Sequence, residues 1–190
     1  MSIILASASP RRRELMQMLG VSDLKIIPAV GEEKADSGLG PDELVKALAA
    51  HKAKEVAAKC TPDDIVIAAD TIVWHSGRVY GKPHTEAEAV AMLRALSGDT
   101  HEVYTGVAVL RGDTLLLEAE RSAVHFRTLS DAEIDAYIRT GEPMDKAGAY
   151  GIQGRASLFV EGIEGDFFNV VGLPLCRLGL MLNKLGVRLL

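Results

Sequence analysis

The residue most able to do chemistry is Asp70, which interrupts the apolar run Ile65-Val66-Ile67-Ala68-Ala69-Asp70-Thr71-Ile72-Val73-Trp74. A carboxylate inside a buried strand is costly unless it is ion-paired, metal-bound or functional. Such perturbed acids cluster at active sites, which favours function over a purely structural ion pair. A second candidate is Ser7-Ala8-Ser9-Pro10-Arg11-Arg12-Arg13, where a strand gives way to a helix. Three cations at a helix N-terminus oppose the macrodipole. Free backbone N–H groups, serine hydroxyls and guanidinium forks there suit a phosphate or carbonyl oxygen, and the plain alternative is a solvated basic turn.

Other candidates gain meaning only beside these. Glu32 and Glu33 follow a predicted strand end, a common place for functional groups in α/β enzymes. Near Asp70 they would offer the hard oxygen ligands that Mg²⁺ prefers; alone they read as a solvated acidic loop. Lys52, on a predicted helix, and Lys82, in Gly81-Lys82-Pro83, are candidate phosphate clamps, whereas Lys54 and Lys59 read as surface. The loop Asp145-Lys146-Ala147-Gly148-Ala149-Tyr150-Gly151-Ile152-Gln153-Gly154 is punctuated by glycines, which let a ligand approach the backbone. Gln153 could read a base edge as both donor and acceptor.

The elements that must position these residues alternate along the chain. Strands are predicted over residues 2–6, 25–30, 65–74, 78–80, 102–110, 115–126, 158–161 and 170–171. Helices are predicted from Pro10 to Gly20, from Pro41 to about Lys59, from Thr85 to Gly98, from Ser130 to Gly141 and from Pro174 onward. Ser9 before Pro10 is an N-cap signal, and Thr85 with Glu88 and Ser130 with Glu133 have capping-box spacing. Ser76-Gly77 and Arg111-Gly112-Asp113 read as hairpin turns. Strands joined by both helices and hairpins imply an α/β fold on a mixed, twisted sheet with flanking helices. Residues 1–190 carry no composition break, so a single domain is expected, with any two lobes sharing a core.

Composition narrows the function classes. The chain of 190 residues is 48% hydrophobic and 25% charged, which is ordinary for a globular protein. Aromatic residues are few, at 5%, so Ile, Leu, Val, Ala and Met are expected to build the core. A formal charge of −5 and a lack of interleaved aromatics argue against nucleic acid and anionic membrane as partners. Cys60 and Cys176 are isolated and belong to no CxxC pair, so a reduced, cytoplasmic compartment is expected. No apolar run is long enough to span a bilayer. There is no Walker loop, no dinucleotide GxGxxG, no GxSxG elbow and no zinc-type histidine spacing.

Taken in order, these segments resemble the Maf family of nucleotide pyrophosphatases over almost the whole chain. The resemblance is carried by Leu5-Ala6-Ser7-Ala8-Ser9-Pro10-Arg11-Arg12, Ala69-Asp70-Thr71-Ile72-Val73, Gly81-Lys82-Pro83, the 145–154 loop and Val171-Gly172-Leu173-Pro174-Leu175. It implies a Maf/ITPase-like fold with two lobes around a central cleft, and hydrolysis of a nucleoside triphosphate between its α- and β-phosphates. It further implies Asp70 as the catalytic carboxylate, Lys52 and Lys82 at catalytic phosphate-binding positions, and Glu33 with Asp70 at a divalent metal, Mg²⁺ or Mn²⁺. Ser7 and Arg12 match the N-terminal phosphate loop.

Subgroups of the family differ at positions that here read Arg11, Thr71 and Gln153, which resembles the dTTP/UTP-preferring group. CTP and modified pyrimidine nucleotides are further candidate substrates. The group acting on 7-methyl-GTP instead resembles Trp, Gln and Glu at these places. Gly31-Glu32-Glu33 departs from the more common Val-Asp-Glu at Glu32, while Glu33 matches. A homodimer is expected by resemblance. The competing reading is a non-catalytic nucleotide-binding regulator of cell division, which leaves a buried Asp70 unexplained.

Overall fold

The computed structural model describes residues 1–21, 23–31 and 38–190. Two compact units form along the chain. The first comprises residues 1–70, 105–120 and 172–190; the second comprises residues 71–104 and 121–171.

In the first unit, β1 (Ile3–Leu5), β2 (Leu24–Ile26) and the start of β3 (Ile65–His75) are parallel. Leu5 of β1 stands opposite Ile26 on one side and Ile67 on the other. Parallel neighbours require crossovers, and helices α1 (Pro10–Met18) and α2 (Pro41–Ala57) provide them. Alanines on α2 make this layer tight: Ala49, Ala53 and Val56 pack with Ile4, Ala6, Val66 and Ala68. The same helix backbone touches β5 (Thr100–Arg111), where a Cβ on Gly106 would come within 2.2 Å of the Val45 carbonyl oxygen. Only a glycine allows that approach.

The full strand order is β2-β1-β3-β5-β6-β7, with β4 (Arg78–Tyr80) pairing antiparallel to β3. Strand β6 (Thr114–Phe126) follows β5 through a two-residue turn, and β7 (Val160–Glu164) pairs antiparallel to β6. The described residues therefore form the expected mixed sheet flanked by helices. The hairpin at Ser76-Gly77 has positive φ at both residues, 49° and 75°, the backbone that matches strand twist.

In the second unit, α3 (Glu86–Leu96) and α4 (Asp131–Ile138) contribute Ala89, Leu93, Leu96, Ile134 and Tyr137 to the core. Ser130 and Glu133 form the full capping box expected of them. Thr85 forms half of one: it accepts from the Glu88 N–H, while the Glu88 carboxylate reaches the His84 N–H instead. The core is also more aromatic than composition suggests. Phe126, Tyr137, Tyr150, Phe159 and His101 stack edge-to-face, with Phe126 and Tyr150 centroids 4.8 Å apart. The few aromatics are thus concentrated in the second unit, whose buried cluster is still built mainly from Val, Leu, Ile, Ala and Met, as expected.

Three strand expectations shift. The strand expected over 25–30 stops at Ile26 because Pro28 has no N–H to continue the ladder. The strand expected at 158–161 begins at Val160, after a 3-10 turn over Arg155–Phe159. Val170 and Val171 belong to a short helix, α5 (Phe167–Val171), and not to a strand. Asp166 starts that helix by accepting from the Phe168 N–H through its carboxylate and from the Val170 N–H through its carbonyl. Capping here overrides β-branched propensity.

His101 gives this unit an acid sensitivity. It is 1% exposed and bonds Tyr150 Oη through Nε2 at 2.8 Å. Burial first, then the nearby His75, hold its pKa down to about 3. The unfolded chain binds that proton near the ordinary histidine value, so stability falls as pH drops from there toward 3. His101→Gln is expected to flatten the dependence of Tm on pH between 6.5 and 4 relative to the parent. Parallel melting-temperature curves for the two proteins would remove His101 from the acid response.

Candidate active site

In the parallel part of the sheet, chain position and register bring the sequence candidates of the first unit to one end. Ala6 N–H donates to the Ile67 carbonyl at 2.8 Å, so β1 and β3 are locked at that level. Ser7 lies two residues past Leu5, the end of β1, and Asp70 lies three residues past Ile67 within β3. Both therefore lie just past the carboxyl end of the parallel β1–β3 pairing, the side on which open α/β sheets place their ligands.

Asp70 is 8% exposed, and its Oδ1 accepts a hydrogen bond from Lys52 Nζ at 2.5 Å. Lys52 leaves α2 three residues beyond Ala49 and one before Ala53, the alanines that press the helix onto the strands. That contact directs its chain toward Asp70. Both ions are well buried, with side chains 15% and 11% exposed. The ion pair that stands as the structural alternative to function therefore exists, and its cation is Lys52, one of the two candidate clamps.

Ser7 is 9% exposed and its hydroxyl oxygen accepts from the Ser9 N–H and from Arg12 Nη1, each at 3.2 Å. Arg12 Nε donates to the carbonyl of Gly172 at 2.8 Å. The expected cap differs from the finding: Ser9 occupies the N-cap position of α1, yet its side chain makes no cap bond. The first turn of α1 also lacks any acidic residue. A helix N-terminus without a side-chain cap and with arginines in its first turn retains the character of an anion-binding end. Arg11 is half-buried in that turn.

The segment approaching Glu33 is fastened by Glu55, also on α2. Its two carboxylate oxygens accept from the Val30 and Gly31 N–H groups, both at 3.0 Å. Those backbone bonds, before the ion pair with Lys59, hold the Glu55 carboxyl below the usual range. Glu55 was not singled out from sequence; its position one helical turn after Lys52 was the only signal. Glu32 and Glu33 themselves lie outside the described residues. Among the described residues, no group of three or more His, Cys, Asp or Glu could hold a metal ion. The carboxylate of Asp70 is nonetheless a hard oxygen donor, and Mg²⁺ commonly uses one or two carboxylates together with substrate phosphates and water. The residues present fit such an ion.

The second unit carries Thr71, Lys82 and Gln153. Thr71 is half-buried and directly follows Asp70 in β3; Lys82 and Gln153 are exposed. Lys82 is held at its base, since the Gly81 carbonyl accepts from the Gly148 N–H at 3.0 Å. Gly148, with φ of 67°, lies so close to β3 that a Cβ would come within 2.9 Å of the Val73 side chain. The glycines of the 145–154 loop correct a sequence expectation. Gly151 and Gly154 make room for Lys146 and Glu142 of the protein itself, not for a ligand; a Cβ would come within 2.6 Å and 2.1 Å of those side chains. Glu142 accepts from Tyr137 Oη and the Arg155 N–H, which closes the loop on its own core.

A sequence profile described as Maf-like protein matches residues 2–185. A protein of Alkaliphilus oremlandii named dTTP/UTP pyrophosphatase is 53% identical over 191 residues, spanning 99% of this chain and 98% of its own length. One of Bacillus cereus with the same name is 50% identical over 185 residues, spanning 97% and 96%. In fold, the chain is similar to the Ham1 protein of Staphylococcus aureus at 14% identity and a TM-score of 0.53. It is also similar to a Ham1 protein of Coxiella burnetii at 18% and 0.50; each match covers 97% of this chain and 99% of the other.

Proposed function

The chain belongs to the Maf-like protein family, and on that premise we propose that it is a nucleoside triphosphate pyrophosphatase. It hydrolyses dTTP and UTP to the monophosphate and pyrophosphate. The observation that carries this reading is the buried Asp70–Lys52 pair just past the end of the parallel β1–β3 pairing, a base and a cation placed side by side. Near-full-length identity of about half with proteins named dTTP/UTP pyrophosphatase supports the substrate class.

In this proposal the triphosphate oxygens meet Arg12, Lys52, Lys82, the hydroxyl of Ser7 and the N-terminal N–H groups of α1. Water attacks the α-phosphorus, its proton passes to an Asp70 carboxylate oxygen, and the bond to the bridging oxygen of the β-phosphate breaks. Lysine and arginine cations offset the charge that gathers on the departing pyrophosphate. Asp70, with Glu33, would hold Mg²⁺ or Mn²⁺, which supplies charge neutralisation and a more acidic water when bound. Arg11, Thr71 and Gln153 are assigned to base discrimination, on the strength of the family resemblance. We propose that residues 1–190 act as one catalytic domain.

No helix among the described residues is long and apolar enough to cross a membrane. The proposed location is the cytoplasm, consistent with two free thiols at Cys60 and Cys176. The proposed homodimer rests on the family resemblance, and light scattering of the purified protein decides it.

Product analysis with Mg²⁺ against dTTP, UTP, CTP, 7-methyl-GTP and dITP tests the function. Monophosphate and pyrophosphate from dTTP and UTP are expected. Turnover of 7-methyl-GTP with dTTP inert would overturn the base assignment. Nucleotide bound but never cleaved would replace the enzyme with a regulator.

A further inference from the structure

We infer that Gly172 is a positioning residue for the phosphate-binding arginine: its carbonyl oxygen, aimed by a backbone conformation suited to glycine, fixes the Arg12 guanidinium. The inference rests on the proposed role of Arg12 toward the triphosphate. Arg12 Nε donates to the Gly172 carbonyl at 2.8 Å, and Arg12 Nη1 donates to Ser7 Oγ at 3.2 Å. Two bonds on different nitrogens set both the position of a planar guanidinium and the rotation of its plane. Ser7 supplies one of them from beside the helix end; Gly172 supplies the other from far along the chain.

The carbonyl is well mounted. Gly172 is buried with φ of 120°, a region that residues with a Cβ enter only under strain. Leu173 behind it is 0% exposed, and Pro174 caps the final helix, α6 (Leu175–Lys184), by accepting from the Leu178 N–H. That helix is tied to β6 by Arg177, whose guanidinium bonds Glu118 and Glu120, each at 2.5 Å. A carbonyl so held is a fixed acceptor, so the arginine is ordered before substrate arrives. Preorganised cations cost no reordering when charge develops, and a displacement of about 1 Å can cost roughly a hundredfold in rate. The carbonyl bears no charge of its own, so it orients the cation without neutralising it.

A double-mutant cycle with dTTP as substrate tests the inference. Gly172→Ala, at unchanged circular dichroism, is expected to lower kcat/KM by between about tenfold and a hundredfold. In an Arg12→Ala background the same change is expected to do almost nothing further, because the group it positions is gone. Full additivity, or a folded Gly172→Ala with the parent kcat/KM, would overturn it.

Should Gly172→Ala not fold, the parent protein answers through NMR with ¹⁵N-arginine labelling. One Nε–H resonance, absent from Arg12→Lys, is expected to exchange slowly with water. Rapid exchange of that proton overturns the inference whether or not the protein turns over dTTP. Slow exchange combined with parent-like activity of Arg12→Ala would leave the contact standing and remove its purpose. In that case the failure lies in the proposed role of Arg12.

Discussion

Asp70→Ala is expected to abolish dTTP hydrolysis while the protein remains folded. A positioned proton acceptor contributes on the order of 10²–10⁴-fold to rate, and Asp70 also holds a proposed metal position, so the loss should lie at or beyond the upper end. The fold survives because the carboxylate is the partner that can be dispensed with. Lys52 loses its ion pair, but its ammonium sits on a flexible four-carbon stem and can turn toward water. Circular dichroism and thermal melting should show a small change in Tm, alongside pyrophosphate release at background. Turnover within tenfold of the parent would remove Asp70 from the chemistry and leave it as a structural acid. An unfolded Asp70→Ala would show that the pair is needed by the fold itself, and Asp70→Asn, which keeps the shape, would then carry the kinetic test.

Lys52→Met is expected to do the opposite in stability and the same in rate. Removing the ammonium leaves Asp70, at 11% side-chain exposure, buried beside a thioether. Removing one partner of a buried ion pair costs about 3–5 kcal/mol, because the remaining charge is shielded from water and has lost the opposite charge that balanced it. For a chain of this size each kcal/mol lowers Tm by about 2–4 °C, so a fall on the order of 10 °C is expected. The double variant Lys52→Met/Asp70→Asn should recover much of that loss, since no lone charge is left behind. Activity should not return in the double variant. Calorimetry on the four proteins separates the two effects, and a Lys52→Met protein as stable as its parent would show that the pair contributes nothing to the fold.

The pair also explains why the same two residues serve structure and reaction. A base kept in a low-dielectric pocket needs a cation beside it in the absence of substrate, and a triphosphate needs a cation beside its leaving group. Lys52 is placed to meet both needs in turn, with α2 held close by Ala49, Ala53 and the glycine at 106. Stability and activity should therefore separate in the Asp70 variants and fall together in the single variant Lys52→Met.

What the sequence determined by itself was local. The capping box at Ser130 and Glu133, the hairpin at Ser76-Gly77 and the turn after Arg111 each depend on a few neighbouring residues whose preferred dihedrals and hydrogen bonds are short-range. Asp70 stood out for a similarly simple reason, a charge within an apolar run. Local reading failed where one local rule opposed another, as when the Asp166 cap turned Val170 and Val171 into helix, and where an edge strand met Pro28.

The tertiary structure alone decided which side chains meet. Lys52 and Asp70 are 18 residues apart in the chain, and Arg12 and Gly172 are 160 apart. Neither separation has a period that a sequence window detects. Each depends on strand register, on the phase of a helix against a sheet, and on how near small residues let the two approach. The glycines of the 145–154 loop show the same limit from the other side. Composition signals that something must come close to their backbone, but only the fold reveals that Lys146 and Glu142 are what does so. A chain's dihedral preferences are written locally, whereas its contacts are set by the sum of many such preferences under close packing.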